Sequence, residues 1–151
     1  MRVLARRLSI STLSLAVAVA TFGSPARAAA NPYTAAQACS NDFGGSWTQV
    51  SDGHRSITDS GTKVGDVYLM YNSATGYNCV ATLKAVAVGS TTGVAARLRV
   101  EGSSWVTDSG NYKYYAAIQR SARGACVMYE GEVMNFTMWF SNGRNAWGNC
   151  G

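Results

Sequence analysis

The sequence predicts an all-β fold, a small disulfide-stapled antiparallel sandwich or barrel with a short N-terminal helix. Three observations carry that reading. From Asp66 onward the chain is a series of short segments rich in β-branched and aromatic residues, separated by glycine-containing turns, a spacing that suits packed sheets. Four cysteines, Cys39, Cys79, Cys126 and Cys150, form an even set in a chain that begins like an exported one, so two disulfides are expected. Helix-start chemistry occurs at one place, "NPYTAAQAC".

The opening "MRVLARRLSISTLSLAVAVATFGSPARAAA" sets Arg2, Arg6 and Arg7 ahead of an apolar run and closes on small residues. Residues 1–28 are therefore expected to be a signal peptide, with Ala30 as the alternative cleavage point. Arg6-Arg7 admits a twin-arginine route, although the flanking residues favour general export. The apolar run from Ile10 to Phe22 is shorter than the ~20 residues of a membrane span, and no later stretch comes closer. A single secreted β-domain over residues 29–151, with no span, follows. Of the 13 Lys and Arg residues, Arg2, Arg6, Arg7 and Arg27 would leave with the leader, which leaves nine against eight acids, a net charge of +1. So near-neutral a chain has no electrostatic case for nucleic acid.

Within the domain, Asn31 is placed as a helix cap and Pro32 at a first helical position, with Ala35, Ala36 and Ala38 carrying one or two turns that Cys39 would pin. Ser40–Gly65 is rich in Gly, Ser and Asp without a sustained period and predicts a long loop with one short strand at Trp47–Val50. "DVYLMYN" alternates Val67, Leu69 and Tyr71 with Tyr68 and Met70, and "NSATGYN" turns the chain into "CVATLKAVAV", which makes a β-hairpin. "VAARLRVEG" sets Ala96, Leu98 and Val100 against Arg97, Arg99 and Glu101, the pattern of a strand with one buried and one charged face. "SWV", "YKYYAAIQ", "ACVMYEG" and "NFTMWF" supply further strands. Three cysteine pairings are possible. Cys39–Cys79 with Cys126–Cys150 is favoured, each loop contributing about 3 to 4 kcal/mol in the chain-entropy model.

Thr-Asp-Ser-Gly occurs twice, around Asp59 and Asp108. Paired Asp-Ser-Gly triplets invite comparison with aspartic proteases, whose two carboxylates share one proton. The copies lie 49 positions apart, too close for a two-lobed enzyme, and both are expected to be turns in which Asp initiates and Gly accepts a positive φ. His54 is the only histidine and sits in "SDGHRS", expected to be an exposed loop, and no Gly-x-Ser-x-Gly elbow presents a nucleophile to it. The acids Glu130 and Glu132 in "EGE" are expected to be solvated turn residues. Without a histidine near any cysteine, zinc is not expected. The chain is expected to be no enzyme and to need no cofactor. Trp47, Trp105, Trp139 and Trp147 are the candidate ligand-binding residues, able to form a platform for sugars or protein.

The segments "NPYTAAQAC", "VYLMYNSATGYNCVATLK", "VEGSSWVTDSGNYKYYA", "GACV" and the terminal "NCG", in that order, resemble the spore-associated protein A family of small exported proteins. The resemblance implies secretion and association with a spore or aerial-hypha surface, and it transfers no catalytic residue, only the four cysteines as structural positions. Of the two tetrapeptides, only Thr107–Gly110 matches the family pattern. The partner expected is a cell-wall or spore-surface component or a secreted protein. Two further readings stand beside this one: a secreted protease inhibitor presenting Arg55 or Arg144, and a cell-wall or polysaccharide-binding module using the tryptophans.

Overall fold

The computed structural model describes residues 29–151; the expected signal peptide, 1–28, lies outside the described residues. One helix, α1 (Ala35–Phe43), precedes eight strands: β1 (Thr48–Asp59), β2 (Thr62–Asn72), β3 (Tyr77–Lys84), β4 (Thr92–Val100), β5 (Val106–Tyr112), β6 (Tyr115–Ser121), β7 (Val127–Asn135) and β8 (Met138–Gly148). They form two four-stranded sheets, ordered β1-β2-β3-β6 and β5-β4-β7-β8, with every pairing antiparallel. This is the predicted all-β sandwich, and both predicted disulfides, Cys39–Cys79 and Cys126–Cys150, are formed.

The alternation in "VAARLRV" explains how the sheets meet. Val94, Ala96 and Leu98 are fully buried and pack with Val127, Tyr129 and Val133 of β7 against Ile57, Val67, Leu69 and Val80 of the other sheet. The sheets approach closely at Gly131, where a Cβ would stand 2.5 Å from Val67 Cβ and 2.6 Å from Thr82 Oγ1. A glycine is required there because any side chain would wedge the layers apart. It also accounts for "EGE", which is no turn: Gly131 points inward in mid-β7 while Glu130 and Glu132 point outward, 3.7 and 3.2 Å from the Arg97 guanidinium.

A second apolar cluster lies outside the first sheet. Helix α1 packs Ala35, Ala38 and Cys39 onto Met70, Cys79, Ala81, Leu83 and Ala117, which is why both alternating sets of β2 are apolar. The helix starts later than its sequence suggests. Its N-cap is Thr34, whose Oγ1 accepts from Gln37 N while Gln37 Oε1 accepts from Thr34 N, a full capping box. Asn31 instead donates its Nδ2 to the carbonyls of Lys84 and Tyr114, tying the chain ahead of the helix to the end of β3 and to the turn between β5 and β6.

The predicted long loop Ser40–Gly65 is largely strand. β1 is an edge strand, so its outer residues meet water. Irregularities between Gln49 and His54 and between Ile57 and Thr58 break its alternation, leaving Gly53 and Ile57 as its buried positions. Period-two reasoning cannot register a bulged, half-wet edge. Its hairpin with β2 turns on Ser60 and Gly61, with φ of +47° and +86°, the signs of a type I′ turn.

Candidate functional site

Two surfaces concentrate the aromatic residues: the uncovered face of the second sheet, and a cleft at the seam between β5 and β6. Among the described residues, no helix covers the outer face of β5-β4-β7-β8 as α1 covers the first sheet. The middle of that face is ionic, with Arg97 between Glu130 and Glu132. At one end Trp105 immediately precedes Val106, the β5 residue that pairs with Leu98. There the Arg99 guanidinium lies 5.4 Å from the centre of the Trp147 ring, within cation–π range. At the other end, about 20 Å away by strand rise, Trp139 pairs with Met134 and lies across it toward Gly93, where a Cβ would meet the ring at 2.6 Å. Trp139 and Trp147 thus share one face, Trp105 adjoins it at the start of β5, and all three are substantially exposed. Trp47 is not among them: it is 8% exposed, packs against Phe43 and donates its Nε1 hydrogen to Gly44 O. Its place beside α1 makes it a core residue of the helix–sheet cluster.

The cleft, about 500 Å³, is walled by tyrosines from three segments. Tyr33, ahead of α1, packs edge-on against Tyr114 and Tyr115, with ring centres 5.3 and 5.2 Å apart and interplanar angles of 64° and 76°. Two carboxylates border it. Asp42, near the end of α1, accepts from the Tyr115 hydroxyl at 3.1 Å. Burial pushes its carboxyl above the usual range, the Tyr115 hydrogen bond opposes that rise, and the charge of Asp108 adds to it.

Asp108 reaches the cleft because the second TDSG is not a turn. Thr107–Gly110 lies within β5, so Asp108, Gly110 and Tyr112 share one face. Asp108 Oδ2 accepts from Ala117 N of β6 at 3.1 Å and Oδ1 from the Tyr112 hydroxyl at 2.8 Å. The carboxylate therefore bridges the edges of two different sheets. A Cβ at Gly110 would stand 2.7 Å from Tyr112 Cζ; the bare glycine lets the tyrosine ring fold back along its own strand to Asp108. The hydrogen bond to Asp108, then burial and negative charge, raise the Tyr112 phenol above its ordinary value.

Asp59 does not join this site. It ends β1, where Oδ2 accepts from Asn135 Nδ2 at the end of β7 at 3.0 Å, on the far edge of the first sheet from β6. The two TDSG aspartates share no proton. His54 lies in strand β1, not a loop, stacked on Tyr68 with its Nε2 2.9 Å from Asp66 Oδ1. Ser56 donates to that same carboxylate oxygen, so the hydroxyl serves the acid and not the imidazole. Burial alone would push the Asp66 carboxyl up, but hydrogen bonds from Lys63, His54 and Ser56 hold it below the usual range. Among the described residues, no group of three or more His, Cys, Asp or Glu could hold a metal ion. The two arginines expected of an inhibitor loop are also engaged: Arg55 pairs with Asp52 at 2.8 Å, and Arg144, its side chain 11% exposed, lies over Tyr129 and donates to Val127 O.

The molecule is thus a two-disulfide β-sandwich with one sheet covered by a helix, the other bare, and a tyrosine cleft along one seam. It is similar to spore-associated protein A of Streptomyces coelicolor, 41% identical over 88 residues. That match covers 58% of this chain and 54% of the relative, so it spans about half the length of the protein it resembles. The resemblance to a spore-associated protein A-like family, carried above by the cysteine-bearing and tyrosine-rich segments, is supported by this relative. No family model matches the chain. No solved structure matches it.

Proposed function

We propose that the protein is an exported, non-catalytic component of the spore or cell surface, held there through the bare face of its second sheet. The likeness to spore-associated protein A carries this reading. The two disulfides support an oxidising, extracytoplasmic destination. The face supports a binding role because Trp105, Trp139 and Trp147 are presented at both ends of a rigid sheet. A wall or spore-coat polymer long enough to touch both ends is the fitting occupant, since aromatic faces stack on sugar rings and tolerate extended chains. The inhibitor reading is the weaker one, with both candidate arginines already committed to partners.

The test is the distribution of tagged protein between medium, vegetative wall and spores. Enrichment on wall or spores is expected, falling several-fold when Trp105, Trp139 and Trp147 are all replaced by alanine, because exposed aromatic anchors dominate such contacts. Protein left free in the medium, or retention indifferent to the three substitutions, would defeat the proposal.

A further inference from the structure

We infer that the tyrosine cleft is a binding site for a small organic cation, a protonated or quaternary ammonium on a short apolar stem. The cleft is separate from the tryptophan face and its ligand does not depend on the surface reading above. Its size falls within the range of small-molecule sites, roughly 300–1,000 Å³, at about 500 Å³. Its shape argues against a flat ring. Tyr33 packs edge to face, at 64° and 76°, against Tyr114 and Tyr115, so the rings line the open cleft at different inclinations and present no single stacking plane. Inclined aromatic rings suit compact cations, which are attracted to exposed π faces whatever their orientation.

The charge agrees with the shape. Asp42 and Asp108 both border the cleft, against one lysine, Lys113, leaving a net negative balance. Among the described residues, neither carboxylate is in an ion pair. Both are nonetheless held in place, Asp42 by the Tyr115 hydroxyl and Asp108 by Tyr112 and the Ala117 amide. Fixed, uncompensated carboxylates beside aromatic walls attract positive charge and give a neutral ligand nothing equivalent.

The experiment is an NMR titration of the purified protein with choline and n-butylammonium, against 3,3-dimethylbutanol, the neutral carbon counterpart of choline. Saturable shifts of the Tyr33, Tyr114 and Tyr115 ring signals are expected with both cations, with the alcohol at least about ten-fold weaker. Asp42→Asn with Asp108→Asn should weaken cation binding by a further factor of about ten, since an asparagine oxygen can still accept from Ala117 N while the charge is gone. Should the double variant misfold, Tyr33→Leu, outside the sheets, provides the same test. Equal binding of the alcohol or of glucose, cation binding unchanged in these variants, or no saturable shift up to about 50 mM would each overturn the inference. Retention on spores is a separate readout, so loss of one result leaves the other standing.

Discussion

The same four residues, Thr-Asp-Ser-Gly, build two unrelated structures in this molecule. At Thr58–Gly61 they close a hairpin, with Ser60 and Gly61 both at positive φ. At Thr107–Gly110 they run extended through β5. What differs is what the surroundings offer each residue. In the first copy the strands on both sides pair with each other, Asp59 with Thr62, and the glycine serves through its backbone freedom. In the second, β4 lies alongside and supplies a continuous ladder, and the glycine serves by lacking a side chain beneath Tyr112. Turn propensity is a local preference that a tertiary ladder overrides. The carboxylates differ in the same way: Asp59 meets one asparagine, whereas Asp108 joins two sheets.

The largest contrast is expected from the aspartates. Asp108→Ala leaves the amide of Ala117, a buried residue, without its acceptor and should destabilise the fold by about 2 kcal/mol, against about 0.5 kcal/mol for Asp59→Ala. Chemical denaturation of the two variants measures it, and equal losses would erase the distinction drawn between the copies. The glycines should differ in kind. Gly61→Ala has open space around the new methyl but places it at a φ of +86°, costing about 1 kcal/mol. Gly110→Ala meets no φ penalty and should cost less in stability, yet it lifts the Tyr112 ring away from Asp108.

That displacement has its own signature. Tyr112 has its phenol pKa raised above 10.0 chiefly by the Asp108 hydrogen bond, so Gly110→Ala should bring it down toward the ordinary value in an absorbance titration. The sign is fixed by linkage: a raised folded pKa stabilises the fold below about pH 10, and the contribution is lost as pH rises through the folded value. The variant should lose that alkaline sensitivity, and Gly61→Ala should keep it. Smallest is Ser60→Asn, which places the preferred residue at a type I′ position and should stabilise by a few tenths of a kcal/mol in thermal melts.

Much of the sandwich was legible because its central strands obey simple rules. The β2–β3 hairpin and the inward Ala96 and Leu98 follow from alternation, and the number of disulfides, two, follows from even counting, whereas their pairing was one of three possibilities. The capping box at Thr34 and Gln37 was also legible, as a threonine three residues ahead of a glutamine, but Asn31-Pro32 is a competing start signal that the structure uses for tethering. β1 was hidden by its edge position and bulges, and Trp47 by a helix whose packing no local pattern reveals. The cleft was illegible for a different reason. Tyr33, Asp42, Asp108 and the tyrosines at 112, 114 and 115 are brought together by the seam between two sheets and by a helix laid over one of them. "NYKYY" at 111–115 was the available clue, and it has the composition of any aromatic strand.

The Cys39–Cys79 bond joins the helix to the third strand across 40 positions, a closure worth about 4 kcal/mol in the chain-entropy model. A third of the cleft's lining, Tyr33, Asp42 and Phe43, belongs to the segment this bond fastens down. The nine-residue helix is too short to persist by itself, so without the bond its grip on the sheet rests on its alanines and Trp47, the Asn31 and Tyr33 contacts and the Asp42–Tyr115 hydrogen bond. The second sheet has its own staple, Cys126–Cys150. Breaking Cys39–Cys79 should therefore loosen Tyr33 and Asp42 at the cleft, so the proposed cation binding is expected to weaken under reducing conditions.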